Sequence, residues 1–195
     1  MNIGIISDIH ADYVALEDAL DRLLNYHRVE QVLCAGDLVG RGPQPDAVVQ
    51  RIREFAIPTV RGNHDEWSHG LSVENKAYLK ALPLEWRGQF DGLSVFMCHG
   101  KPGNNLWGLY RDHISTTLLN MMLASLNADV LITGHTHMPL YMRVQQGCVI
   151  NPGSLYVFHN ARSTSHTYGV LRLPDMEFDL YDLTVAPGEQ LYSRW

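Results

Sequence analysis

Five short polar motifs carry side chains suited to metal chemistry: Asp8-Ile9-His10, Gly36-Asp37, Gly62-Asn63-His64-Asp65, Cys98-His99-Gly100 and Gly134-His135-Thr136-His137. Each follows a short apolar run, and together they hold five of the ten histidines. Asp8, His10, Asp37, His99, His135 and His137 are good ligands for divalent transition metals, and Asn63 adds a neutral oxygen. Seven donors exceed what one four-coordinate zinc takes. They suit two adjacent ions with one carboxylate bridging. Two such ions carry four positive charges, of which two carboxylates and a bridging hydroxide remove three. The remaining charge attracts a phosphate oxygen, and ions about 3.5–4 Å apart support in-line displacement at phosphorus by the hydroxide. His64 stands beside Asn63, is not needed as a ligand, and is left as general acid for the departing alkoxide.

The elements that must position these motifs show in the apolar pattern. Residues 2–7 read as a buried strand. Residues 12–24 read as a helix with Tyr13, Leu16, Leu20 and Leu23 on one face and Asp12 as N-cap. Residues 31–35 form a second strand, Pro45 opens a second helix carrying Val48, Val49, Ile52 and Phe55, and residues 58–61 read as a third strand. The order β-α-β-α-β predicts a parallel sheet with right-handed crossovers. In such a sheet the loops at the carboxyl ends of the strands meet at one edge, so the five motifs can converge. Further on, residues 72–82 read as a helix, and residues 85–90 and 93–98 as a hairpin closed by Asp91-Gly92. Residues 115–126 form a helix with Leu118, Leu119, Met122, Leu123 and Leu126 facing inward. Residues 130–133 add a strand, and hairpins around Gln146-Gly147 and Pro174-Asp175 complete the chain. The expected architecture is α/β: two mixed sheets packed together with helices outside, in one domain over residues 1–195.

Composition narrows the function. With 46% hydrophobic and 18% charged residues, the chain is not disordered, collagen-like or a coiled coil. A net charge of −6, from 21 acidic and 15 basic residues, argues against stable nucleic-acid binding. Cys34, Cys98 and Cys148 are odd in number and sit in apolar runs, as buried free thiols in a reducing compartment would. No signal-peptide pattern opens the chain, and no run approaches ~18–20 apolar residues. A cytoplasmic protein off the membrane is expected. The oligomeric state stays open; Trp195 can dock on a sheet or on another subunit.

The five motifs in this order resemble the calcineurin-like metallophosphoesterases, and the resemblance runs from Met1 to about Leu155, including the Asn151-Pro152-Gly153-Ser154 turn of the small bacterial members. It implies a four-layer α/β/β/α sandwich and a binuclear metal centre. One ion would take Asp8, His10, Asp37 and His137, the other Asp37, Asn63, His99 and His135, with Asp37 bridging. Mn, Fe, Zn, Co and Ni all suit such sites. The resemblance implies a phosphodiesterase acting on small or nucleotide phosphodiesters, with phosphomonoesterase, protein phosphatase or dinucleotide polyphosphate hydrolase as alternatives. A further alternative is a non-catalytic scaffold, as in a retromer subunit of the same fold. The stretch Gly36-Asp37-Leu38-Val39-Gly40-Arg41-Gly42 is also similar to a motif of phosphoprotein phosphatases and diadenosine tetraphosphate hydrolases, which makes Arg41 a candidate phosphate clamp. Those enzymes carry an aspartate where this chain has Gly40, and Asp65 is one candidate to orient His64 instead.

Several residues have plainer readings. Trp67, Trp107 and Tyr110 can pack as a lid or stack on an aryl group or base. Arg61 reads as structural, Lys101 as an exposed loop lysine, and Met121 and Met122 as core filling. His69, His113, His159 and His166 read as surface or loop histidines.

Overall fold

The computed structural model describes residues 1–66, 69–157 and 166–192, with side chains described up to residue 189. Its strands are β1 (Asn2–Ile6), β2 (Gln31–Cys34), β3 (Glu85–Phe90), β4 (Leu93–Cys98), β5 (Val130–Ile132), β6 (Leu140–Arg143), β7 (Cys148–Asn151), β8 (Thr167–Arg172), β9 (Glu177–Asp182) and β10 (Gln190–Tyr192). They form two five-stranded mixed sheets, ordered β10-β9-β8-β1-β2 and β3-β4-β5-β7-β6. β1 pairs in parallel with β2, and β5 pairs in parallel with both β4 and β7. The helices are α1 (Tyr13–Asp21), α2 (Pro45–Glu54), α3 (Val73–Ala81) and α4 (Thr116–Leu126).

Three of the four helices start where a side chain accepts from an orphan amide of the first turn. The side chains of Asp12, Ser72 and Ser115 accept from Ala15 N, Asn75 N and Leu118 N at 3.0, 3.3 and 3.2 Å; such caps contribute about 1 kcal/mol each. Pro45 occupies the first turn of α2, where its missing N–H costs nothing. The β3–β4 hairpin closes through Asp91 and Gly92, both at positive φ, as a tight turn matched to strand twist requires.

Three apolar clusters define the layers. Ile3, Ile5, Leu33, Met97, Ile132 and Ile150 pack between the sheets. Leu16, Leu20, Val48 and Ile52 pack α1 and α2 on the outer face of the first sheet. Leu119 and Leu123 seat α4 on Phe96, Leu131 and Val149 of the second. The expected α/β/β/α sandwich is the one observed.

Details differ. Residues 58–61 form a single parallel bridge between Thr59 and Cys34 rather than a full strand: Pro58 has no N–H, and Arg61 N turns away to Pro83 O at 2.7 Å. α4 buries a narrower stripe than its periodicity suggests. Leu118 is 44% exposed and Met121 66% exposed, because this helix covers one sheet face with nothing packed above it among the described residues. β10 is only three residues long, Gln190–Tyr192, too short to carry an alternating pattern in the sequence. Cys34, Cys98 and Cys148 are buried and unpaired, as expected.

Candidate metal centre and active site

The ends of β1 and β2 are stitched together just beyond the sheet. Asp8 N donates to Gly36 O at 2.9 Å, His10 N to Asp37 O at 2.9 Å and Ala11 N to Leu38 O at 2.8 Å. From the second sheet, Gly134 N donates to His99 O at 2.7 Å, joining the loops after β4 and β5. Asp8, His10, Asp37, His135 and His137 all sit at φ between 49° and 69°. Left-handed backbone is uncommon and costly for residues with a Cβ, and such strain concentrates at functional sites. Gly62 lies so close to Asp37 that a Cβ there would collide with the carboxylate.

These turns bring all seven candidate donors to one place. One donor atom each from Asp8, His10, Asp37 and His137 lie within 4.8 Å of one another. His10 Nε2 is 3.2 Å from His137 Nε2, and Asp37 Oδ2 is 3.7 Å from His10 Nε2 and 3.3 Å from His99 Nε2. Asn63 Oδ1 is 3.1 Å from His99 Nε2 and 2.9 Å from His135 Nδ1. Asp37 therefore stands between two groups of donors. The ring nitrogens Nδ1 of His10 and His99 lie 3.2 and 2.7 Å from Val39 O and Ala35 O. A proton held there leaves each Nε2 lone pair facing the centre, as ligand imidazoles are usually arranged. Asp8 Oδ2 accepts from Ser7 Oγ at 2.6 Å and His135 N at 3.0 Å. Its buried Oδ1 receives no well-aligned hydrogen bond, although His137 Nε2 lies 3.0 Å away. Lone pairs converging on one space, one of them on an orphaned buried carboxylate oxygen, fit divalent cations.

Charge gives the same picture. Burial raises Asp8 and Asp37, yet the surrounding imidazoles outweigh it and hold both carboxyls below their ordinary range. Burial lowers His10 to about 4. For His99 burial also acts downward, but Asp37 and Asp8 outweigh it and raise the imidazole to about 9. The protein by itself thus holds positive charge against two buried carboxylates, the place a metal ion would take.

His64 lies at the rim of this cluster. Its backbone N donates to Asp37 Oδ1 at 2.8 Å, and its ring meets His10 edge-on with centroids 4.9 Å apart. Burial lowers its imidazole pKa, Asp37 acts upward and Arg41 acts downward, so the exposed Arg41 is near enough to be felt. Asp65 does not orient His64. Its two oxygens accept from the backbone N–H groups of Asp37, Leu38, Val39 and Gly62, at 3.1, 2.7, 3.2 and 2.8 Å. This fully used carboxylate staples the Asp37 loop to the Asn63 loop. The His64 ring instead packs on Gly40, at φ +120°, where a Cβ would come within 2.9 Å of the His64 Cβ and Nδ1.

Residues 1–176 match the calcineurin-like phosphoesterase superfamily domain. The chain belongs to this superfamily. A phosphodiesterase of Methanocaldococcus jannaschii is 30% identical to it over 78% of this chain and 83% of that one. Phosphodiesterase YfcE of Escherichia coli is 27% identical over 88% and 87%. The crystal structure of a metallophosphoesterase from Sphaerobacter thermophilus superposes with a TM-score of 0.70 at 26% identity, covering 93% of this chain and 87% of that one.

Within this superfamily fold, supports that the motifs alone did not reveal come from the turn after β7. Ser154 Oγ donates to Asp8 O at 2.9 Å, and Asn151 Nδ2 to Gly134 O at 2.7 Å. Only the Asn-Pro-Gly-Ser pattern hinted at this. Arg61 points to Lys80 O at 3.4 Å, and Lys101 is exposed, as read from the sequence. Trp107 is not packed as a lid: it is 66% exposed. Trp67, His159 and Trp195 lie outside the described residues.

Proposed function

We propose that the protein is a phosphodiesterase whose site holds two divalent ions, one on Asp8, His10, Asp37 and His137 and the other on Asp37, Asn63, His99 and His135. The observation that carries this reading is the position of the Asp37 carboxylate between two converging donor groups. Bound there, such ions supply Lewis acidity and a nucleophile near neutral pH. The chain supplies the rest. Asp37 and Asp8 set the charge, His64 delivers a proton to the leaving oxygen, and Arg41 binds a non-bridging phosphate oxygen. Mn, Fe, Zn, Co and Ni all suit the donor set. The whole chain, 1–195, is read as one domain, a reading supported by β8, β9 and β10 completing the sheet of β1 and β2. The three buried thiols support a reducing, cytoplasmic setting; among the described residues no helix is long and apolar enough to cross a membrane.

The test is hydrolysis by metal-stripped protein with Mn²⁺ restored, bis(p-nitrophenyl) phosphate against p-nitrophenyl phosphate. Faster cleavage of the diester is expected. Preference for the monoester would make the protein a phosphomonoesterase. No cleavage of either, with metal bound, would favour a scaffold role.

A further inference from the structure

A cavity of about 420 Å³ opens beside the metal-binding cluster. It is lined by Met138, next in the chain after His137, by Pro139, and by the buried Leu109 and Leu140. Tyr110, Arg111, Asp112 and His113, all exposed, also line it, and the Tyr110 ring lies tilted against the His113 ring with centroids 6.0 Å apart. The loop bearing these residues is set against the site: Gly108 packs on Thr136 and His135 so tightly that a Cβ there would clash with Thr136. Tyr110 is 40% exposed and Met138 46% exposed, so an aromatic ring and a soft thioether reach solvent beside the turn that carries His137. The cavity volume is in the range of small-ligand sites, which are apolar with a few polar groups for orientation.

We infer, on the basis of the phosphodiesterase reading, that this cavity is a subsite for the heterocyclic base of a nucleotide substrate whose phosphate sits at the metal cluster. Tyr110 stacks on the base. The guanidinium of Arg111 and the carboxylate of Asp112 meet its ring acceptors and amino groups, which an alkyl chain lacks. The Cα atoms of Met138 to Leu140 lie within ~11 Å of that of His137, at no more than ~3.8 Å per residue, a separation on the scale of the sugar between phosphate and base.

The test is calorimetric binding of AMP and of inorganic phosphate to the Mn²⁺-loaded protein, for wild type, Tyr110→Ala and Tyr110→Phe. Base stacking contributes ~1–3 kcal/mol, which is roughly a 5- to 150-fold advantage for AMP over phosphate in the wild type. Tyr110→Ala is expected to erase about tenfold of that advantage while phosphate binds unchanged, and Tyr110→Phe to retain it. In turnover, Tyr110→Ala is expected to raise KM for thymidine 5′-(p-nitrophenyl phosphate) with kcat unchanged, and to leave methyl p-nitrophenyl phosphate unaffected. Equal wild-type affinity for AMP and phosphate, or equal effects of Tyr110→Ala on both esters, overturns the subsite. AMP binding that depends on Tyr110 without any phosphate binding supports the subsite and refutes the phosphoester reading instead. Binding of neither refutes both.

Discussion

Asp65→Asn tests whether the two halves of the metal site are held in register by one carboxylate. The wild-type side chain is 3% exposed and accepts four backbone N–H groups, Leu38 and Val39 on Oδ1, Asp37 and Gly62 on Oδ2. Asparagine keeps one oxygen and turns an NH₂ group toward two of the four donors. Leaving a buried N–H unsatisfied costs ~1–3 kcal/mol, so two cost roughly 2–6 kcal/mol. Part is offset: burial and the adjacent Asp37 push the Asp65 carboxyl up to about 6, so removing its charge relieves repulsion. The lower part of the range, about 2–3 kcal/mol, is expected for the metal-free protein in urea unfolding, or a fall in Tm of roughly 4–12 °C for a chain of this size. Asp65→Ala, which removes all four partners, is expected to cost more. The loops bearing Asp37 and Asn63 lose their tie, so both variants should also bind metal ~10–100-fold more weakly, the usual cost of a lost outer partner. Metal-free stability of Asp65→Asn within ~0.5 kcal/mol of wild type, with both ions retained through dialysis, would refute the staple.

Asp37→Ala removes the carboxylate between the two donor groups and should cost both ions together, read as metal content per chain; loss of one ion alone contradicts bridging. His64→Ala should keep metal content yet lower kcat by ~10²–10⁴-fold on a diester with a poor leaving group, and an alkyl ester is the substrate to use because a p-nitrophenolate needs little protonation. Asp46 accepts from Ser72 N and Asn75 Nδ2 at 2.7 and 2.8 Å, and the Ser72 amide is the main cause that lowers its pKa. A carboxyl depressed in the folded state adds stability above its unfolded value of ~3.9 and loses it as pH falls through the lower folded value. Asp46→Asn should therefore destabilise the protein at neutral pH and show less acid dependence below pH 4. Identical slopes for the two proteins in that window would count against this link.

The motifs on Asp8, His10, Asp37, Asn63, His64, His99, His135 and His137 were legible in sequence because strand-end loops of an α/β sheet share one edge, whatever the details of packing. The hairpin at Asp91-Gly92 and the capped helices were legible for a similar reason: turn and cap chemistry act within a few residues. What pairs with what across long separations was not. Asp65 sits next to His64 in sequence, yet three of its four partners are amides 26 to 28 positions away; only the folded loops determine which way a carboxylate turns. Leu118 and Met121 follow the helical apolar pattern, but solvent lies above them because α4 forms an outer layer, and periodicity does not record how many layers cover a helix. The Tyr110 cavity arises where the loop after β4 meets the turn into β6, two segments about 28 residues apart whose meeting depends on β4, β5 and β7 lying side by side. The sequence determined which chemistry the chain can hold, through residue types at strand ends. The tertiary structure decided which buried groups are already satisfied and which face the site, because hydrogen-bond partners and burial are set by contacts between segments distant in the chain.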